Sequence, residues 1–170
     1  MFHIQPPNLL TSVSSLNGEV TKEMLGPIIF LGGSIEMNTA SHWQSHVITR
    51  LGDRKVTFLN PRRDDWDNSI VQSCEDDAFR EQVNWELSGL MNSDLVVFYL
   101  DPDTKSPITL MEIGLIAGKG IRSIICCPDG FWRKGNVEIM SDRFDIPLIG
   151  NLNRLTSFLD TFIEHFNKSK

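Results

Sequence analysis

Residues 93–115 read SDLVVFYLDPDTKSPITLMEIGL. Leu95–Leu100 is an unbroken apolar run, the pattern of a strand buried on both faces. DPDTKSP (101–107) is a polar turn. Ser106 suits a helix cap and Pro107 suits the first turn, so a helix is expected over Pro107–Lys119. The same order of apolar run, polar loop and amphipathic stretch recurs on both sides. Upstream, strands are expected at Ile28–Leu31 and Val56–Leu59, with helices over Ala40–Leu51 and Phe79–Met91, the latter presenting Phe79, Val83 and Leu87 on one face. Downstream, strands are expected at Arg122–Cys127 and Ile146–Ile149, and helices over Asn136–Arg143 and Leu152–Phe166. Strand–helix alternation implies a doubly wound parallel sheet, here of five strands with helices on both faces.

The chain has 170 residues, 41% hydrophobic and 22% charged, which fits one soluble domain with a full core. Residues 1–26 are polar and turn-rich and read as an arm, leaving 27–170 as the domain. No apolar run is long enough to span a membrane, and the N-terminus lacks a basic-then-apolar leader. A cytoplasmic protein is expected. The net charge of −6 argues against nucleic-acid binding. Cys74, Cys126 and Cys127 read as free thiols, because strand neighbours point to opposite faces. His42 and His46 stand four apart on a helix, but no third ligand lies nearby, so no metal is expected.

In doubly wound sheets ligands bind beyond the carboxyl ends of the strands, where strand order reverses. The unusual loops here all follow strands: GGSIEM (32–37), NPRRDDWD (60–67), DPDTKSP (101–107) and PDGFWRKGN (128–136). Glu112 is the most informative residue. It sits within an apolar stripe of Ile108, Met111, Leu115 and Ile116, expected to face inward, and a carboxylate there must be paired or open into a cavity. Asp101 and Asp103 share the crevice mouth with it, and paired carboxyl groups are the equipment of glycosidic chemistry. Asp94 either takes part or turns the chain into the strand. Gly32 and Gly33 permit close backbone approach, beside Ser34. Glu36 would repel a phosphate yet accept hydrogen bonds from sugar hydroxyls, which favours a nucleoside over a nucleotide. Trp66 could stack on a base whose edge Arg62 and Asp64 read. Phe131 and Trp132 are either a base platform or an oligomer contact.

Three segments, IFLGGSIEMNTASHWQ (29–44), LNPRRDDWD (59–67) and residues 93–115, together with CCPDGFWRKGNV (126–137), resemble the nucleoside 2-deoxyribosyltransferase-like proteins over roughly residues 28–150. The resemblance implies a flavodoxin-like doubly wound fold and homo-oligomers, dimers or multiples of them, with sites near subunit contacts. It implies that Glu112, in its MEIG setting, attacks C1′ to form a glycosyl ester. No cofactor is implied; the partners are a nucleoside and a free nucleobase, in a salvage reaction. Asp94, opening strand three, is implied in catalysis, and Gly32, Gly33 and Ser34 in lining the sugar pocket. Family transferases carry a proton-donating aspartate six residues before the nucleophile, where this chain has Ser106. That role would pass to Asp101, Asp103 or Asp94. A tyrosine in the first strand often orients the family's nucleophile; the only tyrosine here is Tyr99. Hydrolysis of nucleosides or their 5′-monophosphates, and a non-catalytic nucleoside-binding module, are the alternatives.

Overall fold

The computed structural model describes residues 1–6, 26–36, 39–63 and 69–169. Within them the strands are β1 (Phe2–Ile4), β2 (Ile28–Gly33), β3 (Thr57–Leu59), β4 (Leu95–Tyr99), β5 (Ser123–Cys126) and β6 (Leu148–Ile149). The helices are α1 (Trp43–Arg50), α2 (Asp77–Asn92), α3 (Pro107–Lys119), α4 (Lys134–Arg143) and α5 (Leu152–Lys168). All strand pairs are parallel, in the order β1-β3-β2-β4-β5-β6. The doubly wound architecture is as expected. The sheet has six strands rather than five, because Phe2–Ile4, within the expected arm, pairs along the outer edge of β3. Three residues with only Ile4 buried are too short to show a periodic pattern.

Alternation along the strands sorts the core into two halves. Phe30, Val96, Phe98 and Ile125 face α2, α3 and α4, packing with Trp85, Ile113 and Val137. Ile29, Val97, Ile124 and Cys126 face α1 and α5, packing with Trp43, Leu155, Leu159 and Ile163. Each fully buried side chain of this size contributes about 1.5–3 kcal/mol.

Two helix registers differ from the expected ones, and both differences shape the site. In α2 the buried residues are Gln82, Trp85, Gly89 and Leu90, while Leu87 is exposed. Gly89 is required here: a Cβ would stand 2.6 Å from the Phe30 ring, so α2 lies unusually close to the sheet. In α3 the core face is Thr109, Ile113, Ile116 and Ala117. Ile108 and Met111, expected inside, are 59% and 64% exposed. The helix is apolar on two faces, and periodicity alone does not choose between them.

Candidate active site

Strand order reverses between β2 and β4, so the crevice predicted by the fold opens between the loops that follow them. Gly33 makes that closeness possible. Its φ is +141°, and a Cβ would lie 2.4 Å from the Tyr99 carbonyl. Just beyond, the Ser34 hydroxyl forms a buried knot. It accepts from the Asp101 N–H at 2.8 Å and lies 2.9 Å from Thr104 Oγ1 and 2.5 Å from Ser106 Oγ. Glu36 reaches across to the same loop, accepting from the backbone N–H of Lys105 at 2.7 Å and from that of Ser106. Ser106, the residue before α3, is held at φ +49°. The two loops of the crevice are thus clipped together by side chains.

Asp101 belongs to the same clip. Its Oδ2 accepts from the Ser41 hydroxyl at 2.7 Å and the Ser41 N–H at 3.0 Å, and its Oδ1 from the Asp103 N–H at 3.1 Å. Burial works to raise its pKa, but these hydrogen bonds outweigh burial and hold the carboxyl below its ordinary value. Arg62 is 3% exposed and lies beneath the crevice. Its guanidinium donates to the Ser41 and Ala40 carbonyls at 2.8 and 3.3 Å, fastening the start of α1 to the loop after β3.

On the flank of the crevice, α3 presents Glu112, about 8 Å along the axis from Pro107 at 1.5 Å per residue. It is half-buried. Burial, reinforced by the charge of Glu86, pushes its pKa up to about 8. Glu86 comes from the neighbouring helix α2, and burial raises its pKa too, against the opposing effect of a hydrogen bond from Gln82. Gln82 Nε2 donates to Glu86 Oε1 at 2.8 Å and to the Pro61 carbonyl at 3.1 Å, so it orients Glu86 and ties it to the loop after β3. Glu86 and Glu112 are thus two half-buried carboxyl groups, each raised by burial, with the charge of Glu86 adding to the rise at Glu112. Such a pair can present one carboxylate to an electrophile and one acid to a leaving group.

A family model described as nucleoside 2-deoxyribosyltransferase like matches residues 26–131, more than half of the chain. The chain belongs to that family. No curated protein sequence matches it significantly. A crystal structure described as that of a conserved protein from Enterococcus faecalis V583 superposes with a TM-score of 0.54 at 16% identity, covering 78% of this chain and 96% of that one. At that identity the likeness supports the fold.

The roles implied by membership in the deoxyribosyltransferase-like family meet these positions unevenly. Gly32, Gly33, Ser34, Glu36, Asp101, Asp103 and Ser106 do gather at the switch point, and Glu112 flanks it. Ser34, Asp101 and Ser106 are occupied in holding the loops rather than facing open space. Asp103 is exposed at the mouth. Asp94 is the clear correction. It precedes β4, accepts from the Ile28 N–H at 2.8 Å, and so lies at the amino rim, a strand's length of about 16 Å from the crevice. Its carboxylate pins the starts of β2 and β4. The second carboxyl group beside Glu112 is Glu86, which the sequence reading missed. The signal for it was Gly89, a glycine inside a helix that marks close packing of the face carrying Gln82 and Trp85. Asp64 and Trp66 lie outside the described residues. Of the adjacent aromatics, Phe131 is a core residue, and Trp132 has cations over its ring. Among the described residues no three His, Cys, Asp or Glu side chains converge as a metal site, and no helix is long and apolar enough to cross a membrane. An open cleft of about 490 Å³ lies at the opposite rim, around Ser123, Ile146 and Phe162.

Proposed function

We propose that the protein cleaves the N-glycosidic bond of a 2′-deoxynucleoside and transfers the deoxyribosyl group to another nucleobase. The observation that carries this reading is the coupled pair Glu112–Glu86 beside the switch-point crevice of a deoxyribosyltransferase-like chain. In this course the proton that Glu112 holds in the free protein passes to Glu86 as substrate binds. Glu112 then attacks C1′ as a carboxylate. The C1′–N bond breaks, its electrons pass to the base, and Glu86 protonates the base nitrogen. The nitrogen of a second base attacks C1′ of the ester, expelling Glu112 and returning a proton to Glu86. Two displacements retain configuration.

The exposed face of α3 is part of the same proposal. Ile108 and Met111 stand in solvent, and a Cβ at Gly114 or Gly118 would meet no atom within 4 Å. A second copy of the chain packed there would shield the carboxyl pair, and the working form is a homodimer or a multiple of it.

Incubation with a deoxynucleoside and a foreign free base tests the reaction. A new deoxynucleoside is expected. Release of free sugar alone would leave the nucleophile in place but make the protein a hydrolase, a course open to it because Glu112 is only half-buried. Ligand binding with no turnover of any kind would make it a binding module.

A further inference from the structure

We infer that Gln82 is a positioning residue that confines the acid proton of the site to one oxygen of Glu86, Oε2, with the Pro61 carbonyl holding the glutamine in register. This rests on the glycosidic reading above and names what aims its proton donor. Gln82 is 8% exposed on the inner face of α2, one turn before Glu86. Its Nε2 donates to Glu86 Oε1 at 2.8 Å and to the Pro61 carbonyl at 3.1 Å. A side-chain amide has two N–H donors, and both are in use. Its Oε1, by contrast, is buried with no hydrogen-bond partner among the described residues. A buried acceptor left alone costs stability. The orientation of the amide is therefore set by what its nitrogen holds, at the expense of its oxygen.

That orientation has only one sense. The Pro61 carbonyl can accept but never donate. Turning the amide over would set Gln82 Oε1 against it, two acceptors face to face. The loop after β3 thus makes Gln82 a permanent donor to Glu86, and Glu86 Oε1 a permanent acceptor, whatever the charge on that carboxyl. In a neutral carboxylic acid the carbonyl oxygen is the better acceptor and the hydroxyl oxygen the poorer one. The neutral acid therefore keeps its carbonyl oxygen toward Gln82 and carries its proton on Oε2, the oxygen that Gln82 leaves free. Without Gln82 the proton would be divided between the two oxygens.

The same hydrogen bond tunes the strength of the acid. Burial raises Glu86, and the N–H of Gln82 works against burial by favouring the carboxylate. The proton is thereby released more readily than burial alone would allow. The other ionisable group of the site, Glu112 on α3, feels the charge that Glu86 then acquires. In the reaction the C1′–N bond breaks and its electron pair goes to the base nitrogen. The proton on Glu86 Oε2 moves to that nitrogen, leaving a carboxylate whose Oε1 is still held by Gln82. When the second base attacks, its proton returns to the same oxygen.

Gln82→Met keeps the length of the side chain and removes both donors. Base release is compared for substrates that do and do not need the acid. The pairs are 2′-deoxyuridine with its 5-nitro derivative, whose base leaves as a stable anion, and 2′-deoxyguanosine with its 7-methyl derivative, whose base leaves unprotonated. Gln82→Met should lower kcat about ten- to a hundredfold for the unsubstituted member of a pair and less than about twofold for its derivative, with KM unchanged in both. An equal loss in both members would mark Gln82 as a support of the fold alone and overturn the inference. Carbon-13 NMR titration of the Glu86 carboxyl supplies a readout independent of turnover. Gln82→Met should raise its proton affinity about tenfold, and in the wild type the Nε2–H signals of Gln82 should move with that titration. Gln82→Glu, nearly the same shape, should raise it as well, because an ionised carboxyl cannot donate; it serves where the methionine variant does not fold. An unmoved Glu86 midpoint would overturn the inference. The expected titration in a wild type that releases no base from any deoxynucleoside would refute the glycosidic reading and leave the hold of Gln82 on Glu86 in place.

Discussion

Replacing Glu112 by Gln should make the protein more stable while abolishing its chemistry. In the folded chain the Glu112 carboxyl is held at about 8, against 4.5 for an unperturbed glutamate. Between those two values the unfolded chain has released this proton and the folded chain has kept it. The folded state binds more protons, so stability falls as pH rises through the window. At about 1.36 kcal/mol per decade of proton affinity, the full cost above pH 8 is on the order of 5 kcal/mol. Water reaches a half-buried carboxyl and screens it, which brings the figure to about 2–3 kcal/mol. A glutamine does not titrate and is nearly isosteric. Urea unfolding followed by tryptophan fluorescence should therefore show wild type and Glu112→Gln almost equal in stability near pH 4.5, and the variant ahead by about 2–3 kcal/mol above pH 8, with equal m-values. Base release should fall at least about a thousandfold. Parallel stability curves across that range would refute the claim that Glu112 is held protonated by burial and by Glu86.

Further substitutions separate the site from its supports. Asp94→Ala strands the part-buried N–H of Ile28 and should cost about 1–3 kcal/mol in unfolding free energy, while kcat of the folded fraction stays unchanged; a large loss of kcat would restore Asp94 to the chemistry. Glu86→Gln removes one of the two causes that raise Glu112, so the pH profile of kcat/KM should move its acidic limb to lower pH, with kcat down about 10²–10⁴-fold from loss of the proton donor. Gly33→Ala forces a Cβ to within 2.4 Å of the Tyr99 carbonyl at a φ that alanine resists. A loss of at least about 2 kcal/mol is expected, read as a lower Tm. Met111→Glu should convert the assembly to monomers in light scattering and lower activity with it; an unchanged mass would remove α3 from the interface.

Strands β2 to β6 and the five helices were legible because apolar runs of this length admit few other readings, whereas the three residues of β1 were not. The helix Pro107–Lys119 starts where Pro107 indicates, and the structure closes it on Gly120 in the left-handed conformation. What the sequence concealed was orientation. With Ile108, Met111 and Leu115 on one side of α3 and Ile113, Ile116 and Ala117 on the other, the core-facing side follows from the sheet and not from the helix. Glu112 still lands beside the crevice, because it lies between those faces and turns toward α2. Glu86 was hidden for a related reason. The inner face of α2 consists of a glutamine, a tryptophan and a glycine, so a search for aliphatic periodicity settles on Phe79, Val83 and Leu87. The resemblance carried Asp94 to the site by its place next to a strand, but it stands at the wrong end of that strand. Asp101 and Ser106 were found by position, yet their structural duties depend on partners some 60 to 70 residues away, such as Ser41 and Ser34, which no local pattern shows.

The clip between the loops after β2 and β4 has a consequence for motion. The amide hydrogens of Ser41, Asp101, Lys105 and Ser106 are each held by a side chain of the opposite loop. Hydrogen–deuterium exchange at these four amides should be slowed toward the rates of β4, although all four lie in connecting segments. These four amides are expected to open late for connecting segments, so a ligand arriving between them meets donors and acceptors already held in place.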